Sequence, residues 1–144
     1  MRAYLPLAPD ELSDVKPPKR QVIKAVVPLE ARPDDRETIL EDALDEASFA
    51  SLQLMQEAVI AGPRVVAVGD LPDNAAFFEA WEQIDSLMAD GREGLEIVRQ
   101  VLNSRGEEDA NALVETLFDE PLEWYDITER TRLSEPMTPN ATEN

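Results

Sequence analysis

The sequence contains no cysteine and no histidine. Without cysteine there is no disulfide framework, no thiolate nucleophile and no cysteine metal cage. Without histidine the chain lacks the commonest general base, the commonest ligand of transition metals and every Ser-His or Cys-His relay. Catalysis by this chain would therefore rest on carboxylates, lysine, tyrosine, arginine or a Mg²⁺ ion held by oxygen ligands.

Glycine is scarce and long apolar runs are missing. Only five glycines occur, and Gly69 is followed by Asp-Leu-Pro where a phosphate-binding loop needs free amides and further glycines. No apolar run reaches about 18 residues, and Asp10, Glu11 and Asp14 interrupt the segment where a signal peptide would be apolar. We therefore expect a soluble cytoplasmic protein that binds neither a nucleotide nor a membrane.

Basic side chains are few relative to acidic ones, 13 against 31, for a net charge of −18. Residues 1–40 hold seven of each sign, so the excess lies in residues 41–144, with six basic and 24 acidic side chains. Such a surface repels phosphate backbones and argues against binding to nucleic acid. It attracts a basic protein partner, although the same charge also serves solubility alone.

The hydrophobic pattern predicts strands and helices in alternation. One long helix is predicted from a capping box at Asp34 and Glu37 to a stop at Gly62-Pro63, with either a bend or an end that projects beyond the sheet. Its second half is apolar around much of its circumference, so it lies in the core or meets a partner. Predicted strands cover residues 1–6, 21–29, 64–71 and 122–125, and a predicted helical hairpin covers 92–103 and 107–118.

Residues 75–90 allow two interpretations. Their apolar side chains fall on one helical face, which predicts a helix that ends at Gly91. Residues 84–89 also suit a short strand that follows an irregular segment. The strand at 64–71 is apolar almost throughout, which places it in the centre of the sheet.

Five segments resemble a known family in their order along the chain: MRAYLPL, QVIKAVVPL, PRVVAVGDLPD, WEQIDSLMAD and LEWYDITE. The family consists of short actinobacterial proteins known only as a domain of unknown function. The resemblance implies an α/β fold with a strand inside residues 81–90, and it implies no activity, cofactor or catalytic residue. We expect a single α/β domain over 1–133, with a mixed sheet of about five strands, the long helix, the hairpin and a disordered tail at 134–144.

Asp70 is the first candidate functional residue, because it follows a predicted central strand. Open α/β sheets place ligands at such strand ends, and Asp73 and Asn74 would add oxygen ligands for Mg²⁺. An aspartate after a glycine at a strand end is also a common turn residue that bonds its own backbone. Both interpretations of Asp70 remain open from the sequence.

Tyr125 and Asp126 are the second candidates, since an aromatic side chain beside a carboxylate can line a small-molecule pocket. The alternative is structural. Asp126 and Glu129 have the spacing of a capping box, and the aromatic side chains would then serve packing.

Three hypotheses for function follow. The first is a non-catalytic, acidic cytoplasmic protein that acts through protein-protein contacts, with no cofactor and no bound metal. The alternative is a small-molecule-binding or Mg-dependent enzyme that uses Asp70 and Asp73. A mimic of nucleic-acid charge is a third, given the net charge of −18.

The predicted tail offers the first test. Residues 134–144 contain two prolines and no apolar run, so they have no face with which to dock. Truncation after Leu133 is expected to leave the thermal midpoint nearly unchanged. A fall of many degrees in a calorimetric scan would contradict this prediction.

Overall fold

A computed structural model describes residues 1–104 and 106–134. They form one α/β domain around a five-stranded sheet of order β2-β1-β3-β4-β5. The predicted fold class and the central position of the third strand are confirmed. The strands are β1 Arg2–Leu7, β2 Ile23–Lys24, β3 Val65–Asp70, β4 Ile84–Asp90 and β5 Leu122–Asp126.

All four strand pairings are antiparallel, whereas the sequence suggested a mixed sheet. A helix between two strands usually joins a parallel pair. Here the long helix joins β2 to β3, which run in the same direction, but β1 lies between them and is antiparallel to both. The strand order therefore leaves no parallel neighbours, and the end of β3 is not the ligand crevice of a parallel sheet.

The predicted long helix and helical hairpin are confirmed. The helices are α1 Pro33–Ala58, α2 Arg92–Asn103, α3 Glu107–Phe118 and α4 Arg130–Ser134. The predicted capping box at Asp34 is wrong, because Arg32 is the N-cap and Pro33 takes the first helical position. Proline suits that position since its φ is fixed and its missing N–H would have no partner there.

α1 covers one face of the sheet and then extends past it. Its first half packs Ala43 and Ala47 against Tyr4, Val66 and Val68 of the strands. Its 26 residues span about 39 Å, nearly twice the length of a six-residue strand. The second half meets the α2–α3 hairpin in a separate cluster of Leu52, Met55, Val98, Val101 and Leu117. The second half is thus partly buried within the chain, since Leu52 and Met55 face the hairpin whereas Phe49 and Val59 are exposed.

The opposite face of the sheet is covered mainly by loops and short helices. Phe78 and Leu12 are fully buried against the strands there. Trp81 donates from Nε1 to the carbonyl oxygen of Asp14 at 2.9 Å, and the Arg130 guanidinium lies 4.5 Å from the centre of its indole. These contacts fasten residues 71–83 and α4 to the segment that follows β1.

The strand interpretation of residues 84–89 is confirmed, since β4 covers Ile84–Asp90 and pairs with β3. The segment before it is irregular apart from a short 3-10 helix at Trp81–Gln83. A strand forms here instead of a helix because it gives both β3 and β5 a partner. These long-range contacts are not visible in the periodicity of the sequence.

Ser51 fixes α1 to the end of the sheet. Its buried hydroxyl donates to the Leu7 carbonyl oxygen at 2.7 Å and accepts from the Val65 amide at 2.9 Å. Leu7 and Val65 lie opposite each other in the register of β1 and β3. A single side chain of α1 therefore satisfies one backbone group on each of two strands.

Within the described part of the chain, no helix combines the length and the apolar character needed to cross a membrane. The predicted tail, residues 134–144, lies outside the described residues except for Ser134, which ends α4.

Val59 ends α1 in a conformation that valine rarely adopts. Its φ of 55° and ψ of 46° are left-handed, and it is the only non-glycine residue with a positive φ among those described. The Val59 amide and the Ile60 amide both bond the Met55 carbonyl, an arrangement for which glycine is the usual residue. The Val59 side chain is 89% exposed, so burial does not offset the backbone strain.

We expect Val59→Gly to raise the free energy of unfolding by about 1 kcal/mol, because glycine adopts a left-handed conformation without steric cost. Denaturant melts would measure the change. Val15→Gly is the matched control, since Val15 is equally exposed but has no positive φ. That control is expected to be neutral or slightly destabilising, and a loss of stability in Val59→Gly would contradict the prediction.

Candidate functional site

The Asp70 end of the sheet carries a cluster of charged side chains around Arg2. Arg2 and Asp70 are opposite each other in the register of β1 and β3. The Arg2 guanidinium donates to both oxygens of Asp85, at 2.7 and 3.1 Å, and lies 3.4 Å from Asp70. Arg2 therefore already neutralises part of the charge of Asp70.

A bulge in β4 brings Asp85 to this cluster. Val68 pairs with Ser86 but Gly69 pairs with Ile84, so Asp85 is an extra residue without a partner on β3. Gly69 permits this close approach, because a Cβ there would lie 2.3 Å from the Gln83 carbonyl oxygen. Partial burial opposes ionisation of Asp85, but hydrogen bonds from Arg2 and Ser86 outweigh it and lower its pKa.

Asp70 and Asp73 line one cleft of about 350 Å³. The cleft lies between the start of β1 and the N-terminal half of α1, and Arg2 and Arg36 also line it. Lys24 donates to the carbonyl oxygen of Asp73 at 2.8 Å. The cleft thus mixes both signs of charge. Across residues 1–104 and 106–134, no three acidic side chains converge into a group that could hold a metal ion.

Tyr125 and Asp126 lie on β5 and do not line the Asp70 cleft. Asp126 caps the 3-10 helix at Ile127–Glu129. It accepts from the side chain and the amide of Thr128, which lower its pKa, while the Glu129 side chain accepts from the Asp126 amide. The predicted capping box is therefore present. The Tyr125 hydroxyl donates to Glu123 at 3.0 Å. Partial burial is the main cause of the raised pKa of Tyr125, and this hydrogen bond adds to it.

A buried polar contact with several hydrogen bonds was missed by reasoning from the sequence. Arg64 and Asp90 form a buried ion pair at the other end of the sheet, with side chains 3% and 0% exposed. Arg64 donates to Asp90 through Nε and Nη2, the latter at 2.7 Å, and through its backbone amide at 2.7 Å. Its Nη2 also donates to the Glu120 carbonyl oxygen at 3.1 Å. One signal existed: opposite charges lie at the start of one buried strand and the end of the next.

A groove lies directly above this ion pair, between α1 and the segment that joins α3 to β5. We call it the acidic groove. It has a volume of about 350 Å³ and four of its lining residues are acidic. Arg64 is the one basic residue among those lining it, and it is buried against Asp90. The residues of the acidic groove are Glu41, Leu44, Asp45, Ser48, Arg64, Phe118, Asp119, Glu120, Pro121 and Leu122.

The carboxylates of the acidic groove are not fully neutralised by the chain itself. Partial burial raises the pKa of Asp45, and repulsion from Asp42 adds to the shift, with Arg64 acting in the opposite direction. Exposed aromatic side chains lie close by. Phe49 and Phe118 stack with ring centres 5.8 Å apart, and Trp124 on β5 is 63% exposed.

The two ends of the sheet are expected to differ in their sensitivity to loss of a carboxylate. Asp90→Asn leaves the buried Arg64 without a counter-charge, so we expect it to lower the free energy of unfolding by about 3 kcal/mol. Asp70→Asn changes an exposed ion pair and should alter stability by less than about 1 kcal/mol. Denaturant melts of both variants at neutral pH and low salt would check this. Equal losses in both, or a clear gain in Asp70→Asn, would contradict the assignment.

The chain was compared with protein families, curated proteins and solved structures. Residues 1–133 match a family described as a family of unknown function, DUF6912. Neither the curated proteins nor the solved structures give a match. The resemblance noted in the sequence is confirmed: the chain belongs to DUF6912, a family of unknown function.

Proposed function

We propose that this chain is a non-catalytic cytoplasmic protein that binds a basic segment of a protein partner in the acidic groove. One observation carries the proposal. Four acidic residues line a groove that also has apolar side chains from Leu44, Phe118 and Leu122, and its one basic residue is buried in an ion pair. Such a groove is complementary in charge to lysine or arginine and can also desolvate their aliphatic stems.

The electrostatics of Asp45 support a cationic ligand. Its ionised form is disfavoured by partial burial and by Asp42. An ammonium or guanidinium group that enters the acidic groove would relieve both penalties, because it supplies the opposite charge at short range. A bound cation would therefore stabilise ionised Asp45 more than it would stabilise a fully solvated carboxylate.

The charge of the rest of the chain would act at longer range. The 24 acidic side chains after residue 40 exceed the six basic ones there, so the field around the groove is negative. A negative field accelerates the encounter with a basic protein and is screened by salt. The second half of α1, the other candidate anchor, is less suitable because Leu52 is buried against the α2–α3 hairpin.

The alternative function is a small-molecule-binding or Mg-dependent enzyme that uses Asp70 and Asp73. Its support is that both residues line the same cleft. Two carboxylates held close for function repel each other, so this alternative expects Asp70→Asn to gain stability. Arg2 weakens the case, since it lies 3.4 Å from Asp70 and already offsets its charge.

The test compares two variants of equal net charge. The groove variant carries Glu41→Gln, Asp45→Asn, Asp119→Asn and Glu120→Gln. The control variant carries Asp10→Asn, Asp14→Asn, Glu79→Gln and Glu82→Gln, all exposed and outside the acidic groove. A partner captured by the wild type is expected to bind the control but not the groove variant. Equal retention by both variants would contradict the proposal.

Association rates for that partner should fall steeply between about 0.05 and 0.5 M salt, a range that shortens the screening length from about 14 Å to about 4 Å. The groove variant should associate about tenfold more slowly than the control at low salt, because steering depends on local charge. Stopped-flow mixing would measure both rates. An association rate that does not respond to salt would rule out steering.

A further inference from the structure

β5 lies at an edge of the sheet, and its backbone polar groups can be assigned to one side or the other. The Asp90 amide donates to the Arg64 carbonyl oxygen, so the backbone of Asp90 is directed toward β3. The N–H and C=O groups of successive residues point to opposite sides of a strand. Those of Leu87 and Ala89 therefore point toward β5. Their partners in the register are Tyr125 and Glu123.

The backbone N–H and C=O groups of Leu122 and Trp124 therefore point away from β4, toward the open edge. The backbone of Asp126 points the same way, and its amide donates to the Glu129 side chain at 3.1 Å. That contact agrees with the assignment, since an amide paired with β4 would not be available to Glu129. The amides and carbonyls of Leu122 and Trp124 are thus the groups at which an added strand can bond.

We propose that β5 accepts an extended, basic segment of the partner as a sixth strand of the sheet, a docking mode that rests on the proposed function of the acidic groove. Trp124 is the centre of this docking edge. Its side chain shares the α1 face with Leu122, which lines the acidic groove. Alternate side chains of an added strand therefore reach the indole and the carboxylates of the groove.

The β5 edge carries two charged side chains, Glu123 and Asp126, but both are acidic and would not repel a basic strand. Natural edges are protected by lysine, by proline or by being very short. β5 has five residues and contains neither lysine nor proline. The opposite edge of the sheet is different, since β2 has only two residues and one of them is Lys24.

The negative charge around this edge favours a basic partner segment over a second copy or the tail of this chain. A second copy would bring Glu123, Asp126 and the acidic groove against the same groups in a chain of net charge −18. Residues 135–144 of this chain contain two glutamates and no basic side chain, so they do not complement the groove either. A partner segment with arginine or lysine at alternate positions does, and arginine also stacks favourably on an exposed indole.

The test uses two synthetic peptides of identical charge. The first is Arg-Val-Arg-Val-Arg-Val with blocked ends, and the second is the same peptide with every backbone nitrogen methylated, which removes the strand-forming N–H donors on both of its edges. We expect the first to bind at least tenfold more tightly than the second. We also expect it to slow hydrogen exchange of the Trp124 amide at least tenfold while leaving the Tyr125 amide, already paired with β4, unchanged.

Two variants separate the backbone of Trp124 from its indole. Trp124→Val keeps the outward N–H, and Trp124→Pro removes it without breaking a bond to β4. The proline variant should fold normally and should lose at least a further threefold in affinity for the first peptide relative to Trp124→Val. Equal affinity of the two variants would overturn strand addition.

The outcomes also separate this inference from the proposed function. Equal, salt-sensitive binding of both peptides, lost in the groove variant, would overturn strand addition and leave the acidic groove as the binding site. Binding of neither peptide would overturn both. Protection of the Trp124 amide by the first peptide in the truncated chain ending at Leu133 as well as in the full chain would support the partner as the occupant. Protection of that amide in the free full chain, lost on truncation, would instead identify the tail as the occupant and overturn the proposal.

Discussion

The buried ion pair between Arg64 and Asp90 is the constraint on which the arrangement of the fold depends. Its groups contact four parts of the chain: β3 begins beside Arg64, β4 ends at Asp90, α2 follows, and Glu120 precedes β5. Gly94 of α2 is needed for this packing, because a Cβ there would lie 2.2 Å from Asp90 Oδ1. A buried charge pair is stable only when its hydrogen-bonding groups are satisfied, so the pair fixes the relative position of all four parts.

Ion pairs occur at both ends of the sheet, yet their surroundings give them different roles. An antiparallel pairing sets the start of one strand against the end of the next, so Arg2 meets Asp70 and Arg64 meets Asp90. The α2–α3 hairpin lies at the Arg64 end, where Gly94 of α2 packs against Asp90. Water reaches the Arg2 end, where the charges remain partly exposed and line a cleft. Solvent access, more than residue type, decides which pair is structural.

The ion pair also explains why the acidic groove keeps an excess of negative charge. Arg64 lies beneath the groove, but Asp90 and the Glu120 carbonyl already accept its donors. The groove carboxylates are therefore left to solvent or to a cation from outside. β5 begins at the same place and is an edge strand of the sheet, so a region with unpaired carboxylates adjoins one with unpaired backbone groups.

The sequence by itself determined the features that arise from local interactions. Periodicity identified α1 and the α2–α3 hairpin, the apolar run identified β3, and the spacing of Asp126 and Glu129 identified a cap. Only the tertiary structure decided the antiparallel strand order, the extent of β4, the sharing of one cleft by Asp70 and Asp73, and the pairing of Arg64 with Asp90. Each of these depends on contacts between residues far apart in the chain, and local patterns carry no information on register or strand order because those are set by which distant surfaces bury each other best.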